Sequence, residues 1–469
     1  MTETRTGRFS GELRQALVAF ALAQFICSFA GSNMNVMITD ISEDLGTDVQ
    51  GVQLTITLFL VVMAALMIPG GKLTDRLGRK RCMVAGLALF GVGALVSAMA
   101  PGLGVLIIGN SILEGVGTAL LIPPVYILTT LIFTDLGSRA RAFGAISAMG
   151  GIGAVAGPLI GGFIASAISW RAAFLFQALI VLAIIVLSRR SVHDPVRPDP
   201  SRPFDVRGAV LSAAGLILIV LGILAADDGL WLMLGLLVAG ALVLAGFFVS
   251  VRARERAGQE PLLSTSLFRN HISNLGLITQ NAQWLMVMGT SFVVSAYLQV
   301  VRGYNAIETG AVFTATTVGL LLSSLGAERF ARRRAQRTLI VAGFAVTVVG
   351  LALLVLLVRF YAGVWPFVPG LFIIGLGLGA MLTPSVNIVQ SAFGEQQQGE
   401  ISGLSRCVSN LGSSLGAALA GTILAASIGD HPGRGYALAL TAVAVVGVIG
   451  HLTALFLPRG PAPVLPQGQ

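Results

Sequence analysis

Long runs of apolar residues separated by short polar segments set the pattern of this chain. Windows of about 20 apolar residues, the length that crosses a bilayer as a helix, fall at 15–38, 50–70, 82–100, 103–131, 140–165 and 170–187. Two more lie at 208–225 and 230–250, and six at 272–300, 307–327, 337–358, 364–391, 401–427 and 435–457. The pattern predicts an all-α membrane protein with fourteen transmembrane helices. Spans longer than about 25 residues imply tilt, or ends that leave the lipid.

Composition removes the soluble alternatives. Of 469 residues, 55% are hydrophobic and 11% charged, against about 25% charged in a soluble domain, so there is too little charge to cover a water-facing surface. The formal charge of +9 would point to nucleic acid if the basic residues formed a face. They lie between spans instead. Alternating the spans from an inside N-terminus puts 25 of the 30 Lys and Arg on one side, with Arg171, Arg302, Arg359 and Arg434 opposite and Arg406 inside a helix. The positive-inside bias makes both termini cytoplasmic in a multi-pass protein of the cell membrane, and the first outer loop is acidic, with Asp40, Glu43, Asp44 and Asp48. The basic balance therefore reflects topology and contact with anionic lipid, and no nucleic-acid partner is expected. The first apolar run is about 24 residues, too long for a signal-peptide core, so it is expected to remain as a span.

The order of spans is six, two, six. A tail (1–14) precedes a six-helix bundle (15–187), and a linker (188–207) holds Pro195, Pro198, Pro200 and Pro203, which suit a stiff extended connector. A helical hairpin (208–250), a second charged linker (251–271), a second six-helix bundle (272–457) and a tail (458–469) follow. Two six-helix halves are the outline of a transporter built from parallel repeats, with its pathway at their interface.

The most specific local signal is Gly70-Gly71-Lys72-Leu73-Thr74-Asp75-Arg76-Leu77-Gly78-Arg79-Lys80-Arg81, between the second and third spans. Its glycines allow a tight turn, and Asp75 can accept hydrogen bonds from a helix N-terminus or from an arginine, so the joint can latch two helices in one conformation. These residues resemble the signature G-x-L-a-D-r-x-G-r-k-r of the major facilitator superfamily. A degenerate echo, Gly326-Ala327-Glu328-Arg329 with Arg332, Arg333 and Arg334, follows the tenth span. In the fifth span, Gly153, Gly157 and Gly161 form a small-residue stripe for close helix crossing and Pro158 adds a kink. The run from Gly153 to Gly162 is similar to the g-x-x-x-G-P-x-x-G-G motif of the superfamily's exporters; generic glycine packing is the plainer reading. With fourteen spans the resemblance is to the drug:proton antiporter branch. It implies conformational gating by Gly71, Asp75, Arg76, Gly78, Arg79, Glu328, Gly153, Gly157, Pro158 and Gly161, a small amphipathic substrate, and protons as the coupling ion.

The chain departs from that branch where coupling is concerned. The first-span carboxylate position is Ala30, and the fourth span reads Ser111-Ile112-Leu113-Glu114-Gly115-Val116-Gly117 where the branch has R-x-x-Q-G-x-G, so an arginine is lost and a glutamate gained. Glu114 lies roughly 16 Å, at 1.5 Å per residue, from the outer end of its span. An ionisable residue at membrane depth is a functional candidate by default. Proton or cation binding at Glu114 stands against a permanently protonated packing residue, and Asp40, at the outer end of the first span, stands as the second carboxylate against a solvated helix-end charge. Asn110 shares the Glu114 face. Candidate cavity residues are Asn33, Asn35, Asn110, Gln280, Asn281, Trp284, Asn387, Gln390, Arg406 and Asn410, although some will only bond neighbouring helices. Arg406 can snorkel or pair with Glu400 or Glu395, or meet an anionic substrate group or Glu114.

Cys27, Cys82 and Cys407 lack metal spacing, and the four histidines are far apart, so no disulfide, metal or cofactor is expected. Gly375-Leu376-Gly377-Leu378-Gly379 follows no strand and reads as helix packing. The expectation is a monomeric exporter. A lipid, glycolipid or metabolite exporter of the same fold is the alternative, and a membrane-embedded scaffold or enzyme is the reading from a different class.

Overall fold

The computed structural model describes residues 11–134, 136–195, 198–201, 203–225, 229–331, 336–360, 363–393, 397–425 and 432–458, without the side chains of 136, 137, 139, 140, 147, 155, 325–331, 359, 360, 398, 399, 425, 432 and 433. In chain order the helices are α1 (Gly11–Asn33), α2 (Ile38–Leu45), α3 (Val49–Leu77), α4 (Arg79–Ala98), α5 (Leu103–Leu106), α6 (Gly115–Ile132), α7 (Leu136–Ala167) and α8 (Trp170–Ser191). They continue as α9 (Val206–Leu224), α10 (Leu230–Arg256), α11 (His271–Ala296), α12 (Ala306–Ala331), α13 (Gln336–Phe360), α14 (Phe367–Gln390), α15 (Gln398–Ala425) and α16 (Pro432–Leu455). Thirteen segments among the described residues are long and apolar enough to cross a membrane, and α7, bent by 40° between Arg141–Ala154 and Ala156–Ala167, makes a fourteenth. Pro158 cannot donate the bond that Ala154 would otherwise accept, which accounts for a bend at that point. An even number of spans brings the start of α1 and the end of α16 to one end of the bundle, the termini end; the other is the distal end.

Polar side chains define several helix starts. Asp48 accepts from the backbone N–H of Gly51, Asp205 from that of Gly208, and Asn270 from those of Ile272 and Ser273, each satisfying donors that the first helical turn leaves unpaired. Two elements differ from the span reading. The first span ends at Asn33, passes through a 3₁₀ turn (Met34–Val36), and is followed by the separate short helix α2, so Asp40 sits on α2 rather than at the end of α1. The fourth span is α5, a π-helical stretch (Ile107–Glu114) and α6 in one line.

The two halves pack alike. In the first, α1 lies against α7 and α8, and α4 against α6 and α8; in the second, α11 lies against α15 and α16, and α13 against α14 and α16. The glycines repeat too. Gly86 and Gly93 of α4 press on the fourth span as Gly343 and Gly350 of α13 press on α14. Close backbone approach of this kind drives association where lipid supplies no hydrophobic force between helices. The halves meet along two seams, α3 with α15 and α7 with α12. The extra hairpin joins the first: Val220 of α9 packs with Val61 of α3 and Ala418 of α15, while α10 touches the bundle mainly through α9.

Candidate translocation site

The segment expected to make a tight turn between two spans is helix up to Leu77, a turn at Gly78 with φ +97°, and helix again from Arg79. Only glycine tolerates that φ cheaply. A Cβ at Gly70 would overlap the Ala119 carbonyl, whereas one at Gly71 would meet the Pro123 ring at an ordinary 3.5 Å, so Gly70 makes the close crossing of α3 and α6. Arg79 Nη2 donates to Asp75 Oδ1 at 2.6 Å. The N-terminus of α4 is not capped by Asp75; it donates through Arg79 N to Asp194 Oδ2 at 2.7 Å, from the segment after α8. The first contact stays within the first half and the second ties α4 to the linker that follows α8; Arg76 is exposed. Lys72 reaches across: its Nζ is 2.7 Å from Glu400 Oε1 of α15 and 3.0 Å from Glu260 Oε1 of the connector before α11. The Glu328 side chain lies outside the described residues, as do Glu395 and Arg332 to Arg334.

The distal end is tied by polar contacts between the halves. Asn35 Nδ2 donates to Ser291 Oγ at 3.3 Å, Gln299 Nε2 donates to Asn35 O at 2.8 Å, and Gln299 Oε1 accepts from Thr39 N at 3.1 Å. On the α3–α15 seam Gln53 Nε2 donates to Ala417 O at 3.2 Å, and on the α7–α12 seam Ile307 N donates to Ser166 Oγ at 3.0 Å. Asn35 is thus a joint between halves rather than a cavity wall. Gly153, Gly157 and Gly161 all face α1, where added Cβ atoms would overlap Phe25 O and Ser32 Oγ and crowd Asn33. The adjacent face of α7 meets α12, with Pro158 O under Gly310 and Gly162 against Ala306 O. One helix therefore carries both an intra-half and an inter-half contact. Asp40 is half-buried, and burial together with the neighbouring Glu43 raises its carboxyl above the usual range.

Inside the halves, Gln280 Oε1 accepts from Ser405 Oγ at 2.8 Å, and Asn281 Nδ2 donates to Val408 O at 3.0 Å, so both engage α15 within the second half. Gln390 Nε2 approaches Ser402 Oγ at 3.5 Å; Trp284 and Asn410 are partly exposed and Asn387 is exposed. Both amide atoms of Asn33 and of Asn110 are buried without a hydrogen-bond partner.

Glu114 is fully buried, and neither carboxyl oxygen has a partner of good hydrogen-bond geometry; Asn110 and Ser97 are the polar side chains beside it. Its Cγ would lie 2.8 Å from a Cβ placed on Gly93 of α4, so the side chain packs into the α4 contact. The repeat shows how it arrived there. Gly350 of α13 meets Gly370 O and Ile374 N, four residues apart, whereas Gly93 meets Gly109 O and Glu114 N, five apart. The π-helical stretch is thus one inserted residue, a feature common at functional sites, and it puts a carboxyl where the second half has Ile374.

Arg406 forms no ion pair with Glu400, which Lys72 occupies. Its guanidinium lies over the Tyr126 ring, 4.7 Å from the centroid, from α15 onto α6 of the other half. Tyr126 Oη donates to Gln24 Oε1 of α1 at 3.3 Å, and its ring stacks on Phe143 at 5.8 Å. Tyr126, Gln24, Gln53 and Gln299 were not among the sequence candidates, although a Gln inside an apolar span is itself a visible signal.

Two pseudo-symmetric six-span halves, joined along two seams and polar at their interface, define a polytopic transport fold. The chain belongs to the Major Facilitator Superfamily, whose family model matches residues 20–417 and 276–469. It is 29% identical over 425 residues to the puromycin resistance protein pur8 of Streptomyces alboniger, covering 88% of this chain and 83% of that one. It is 30% identical over 413 residues to the probable actinorhodin transporter of Streptomyces coelicolor, covering 86% and 70%. A crystal structure of the peptide transporter POT in complex with sulfate superposes with a TM-score of 0.68 over 95% of this chain and 96% of that one, at 16% identity, a likeness of fold alone.

Proposed function

We propose that the protein is a secondary active exporter of small amphipathic, drug-like compounds, working by alternating access and driven by inward proton flow. The observation that carries the reading is the pair of seams: each half is packed internally by glycine contacts, and the halves meet through glycine contacts of α7 with α12 and through polar contacts at Asn35, Gln299 and Gln53 on the distal end and Lys72 on the termini end. Rigid halves rocking about such contacts alternate access to a site between them. The relatives named as resistance and transport proteins give the direction and the class of cargo. Transport rather than catalysis, a cell-membrane location, cytoplasmic termini and a monomeric state belong to the same reading, and the arginine bias supports the orientation. Glu114 is the coupling carboxyl in this reading, supported by its burial without a partner at the end of the π-helical insertion, with Asp40 as the second candidate. The test is a substrate-dependent proton flux in proteoliposomes: drug efflux should acidify the compartment that the drug leaves. Drug movement with no proton movement would reduce the protein to a facilitator.

A further inference from the structure

The extra hairpin is built as one rigid piece. Added Cβ atoms at Gly215 and Gly222 of α9 would press on Leu244 and Leu237 of α10, and one at Gly240 of α10 would press on Ile219, so the two helices cross at close range. Asp205, which is buried, ties both ends of the hairpin together. Its Oδ1 accepts from Gly208 N at 2.9 Å at the start of α9. Its Oδ2 accepts from Leu262 N at 3.3 Å and lies 3.6 Å from Arg254 Nε, near the end of α10. Charge-assisted bonds of this kind are stronger than neutral ones.

The connector after α10 folds back on the hairpin and then docks on the second half. Glu255 of α10 accepts from Thr265 N at 2.7 Å and from Thr265 Oγ1 at 2.6 Å, and the Phe248 ring of α10 meets Phe268 edge to face at 5.5 Å. Gln397 Nε2, just ahead of α15, donates to Ser266 Oγ at 3.2 Å, and Asn270 Nδ2, at the start of α11, donates to Ala392 O at 3.2 Å. Near the distal end, Thr422 Oγ1 of α15 donates to Ile223 O of α9 at 3.2 Å. Toward the first half the hairpin presents an apolar surface instead: Val220 packs with Val61 of α3, with Leu58, Ile217 and Leu224 around them. Packed helices can shear past one another along such a surface.

The linker before the hairpin is held by the first half. Arg79 N donates to Asp194 Oδ2, Asp199 N donates to Asp75 O at 3.3 Å, and the Pro198 ring lies beside the Gly78 turn. Attachment therefore passes from the first half to the second between Asp199 and Asp205. The ion pair of Glu260 with Lys72 crosses the same boundary as that of Glu400, and both open when the halves part at that end.

We propose that the extra hairpin is a moving part of the second half: it is carried with α15 as the halves rock, and α9 slides over α3 as a seal along that seam, the chain flexing between Asp199 and Asp205. This rests on the alternating-access reading and adds to it where one moving body ends and the other begins. A seam that shears is liable to admit lipid, and a helix fixed to one side of it and free to slide on the other keeps it covered in both states.

The test places nitroxide labels at three exposed positions toward the termini end, Leu77 of α3, Val249 of α10 and Leu455 of α16, in the full chain in nanodiscs carrying Cys27→Ala, Cys82→Ala and Cys407→Ala. Distance distributions are compared with and without Lys72→Gln, which releases that end. The Leu77–Val249 distribution should shift and broaden together with Leu77–Leu455, while Val249–Leu455 keeps its original form. A Val249–Leu455 distribution that changes, whether or not Leu77–Val249 holds, would overturn the proposal. If Lys72→Gln leaves all three distributions unchanged, amide exchange decides. Asp205→Asn keeps an oxygen for Gly208 N and loses the acceptor of Leu262 N, so exchange across the connector should rise about fivefold, the weight of one hydrogen bond, with the first turn of α4 unchanged. Asp194→Ala should do the reverse. No rise in Asp205→Asn, or spread of either effect to the other segment, would overturn the proposal. Both readouts are taken without substrate, so a failed proton-flux assay leaves the attachment standing, and a failure here leaves export standing.

Discussion

Lys72 of α3 and Glu400 of α15 meet at 2.7 Å across the boundary between the two halves, and Glu260 shares the same ammonium at 3.0 Å. Three parts of the chain that are remote in sequence, the first half, the second half and the connector that follows the extra hairpin, converge on one cation. Lys72 lies inside the signature segment, whose residues Asp75 and Arg79 pair with each other, Arg79 also reaching Asp194 of the linker after α8. In this conformation the variable position of the motif carries a contact between the halves.

Breaking that contact should loosen the termini end. A partly exposed ion pair contributes about 0.2–1 kcal/mol, enough to change the occupancy of a closed state by up to about fivefold. Spin labels placed near the termini ends of α3 and α15 should show a broader and longer distance distribution in Lys72→Gln and in Glu400→Gln. The charge-swapped double variant should recover much of the original distribution. Identical distributions in all four proteins would make the pair incidental.

The two adjacent glycines of the signature should behave differently. Gly70→Ala drives a Cβ into the Ala119 carbonyl, while Gly71→Ala meets Pro123 at 3.5 Å. Overpacking of a tight contact costs about 1–3 kcal/mol, so Gly70→Ala and Gly153→Ala should lower the melting temperature and the folded yield, and Gly71→Ala should leave both near wild type. Fluorescence-detected size-exclusion chromatography after heating is the measurement, and equal losses at positions 70 and 71 would contradict the crossing described here.

Asp40 gives a pH dependence of defined sign. Burial and Glu43 raise its pKa in the folded protein, so the folded state favours the protonated carboxyl. The stability it contributes is fully present below the ordinary carboxylate pKa of about 3.9 and is lost as pH rises through the raised value. Asp40→Asn should therefore melt higher than wild type at neutral pH, with the difference shrinking as the pH falls toward about 4. A constant difference across that range would remove titration of Asp40 as its source.

Much of the fold was legible because the bilayer imposes it: a run of about 20 apolar residues admits few structures other than a spanning helix. The glycine stripe at 153, 157 and 161 was legible as packing, since only small residues at helical spacing let backbones approach. What the sequence did not disclose was direction. It showed Arg406 inside a span but not that Lys72 would take Glu400 and leave the arginine to Tyr126. It showed a lone Glu114 but not the inserted residue that turns it toward α4, because a π-helical turn has no distinct hydrophobic period. Nor did it show the break after Asn33 that moves Asp40 onto its own helix.

In the proposed exporter, Glu114 is the carboxyl assigned to proton coupling. Its counterpart Ile374 shows that a branched apolar side chain fits the equivalent contact, so packing alone does not require a carboxyl there. Glu114→Ile should accordingly fold at least as well as wild type, since it removes a buried polar group whose lack of partners costs about 1–3 kcal/mol. Glu114→Gln keeps the shape and fixes the neutral state. Both variants should lose accumulation of substrate against a gradient in proteoliposomes, while downhill exchange survives, because the rocking of two halves does not itself need a proton. Glu114→Asp should keep partial activity with a shifted pH optimum. The distinguishing measurement is uphill transport set beside thermal stability in the same preparations: lost pumping in stable Ile and Gln variants assigns the carboxyl to coupling. Wild-type pumping by Glu114→Gln would make it a packing residue, and coupling would then have to run through Asp40 or be absent.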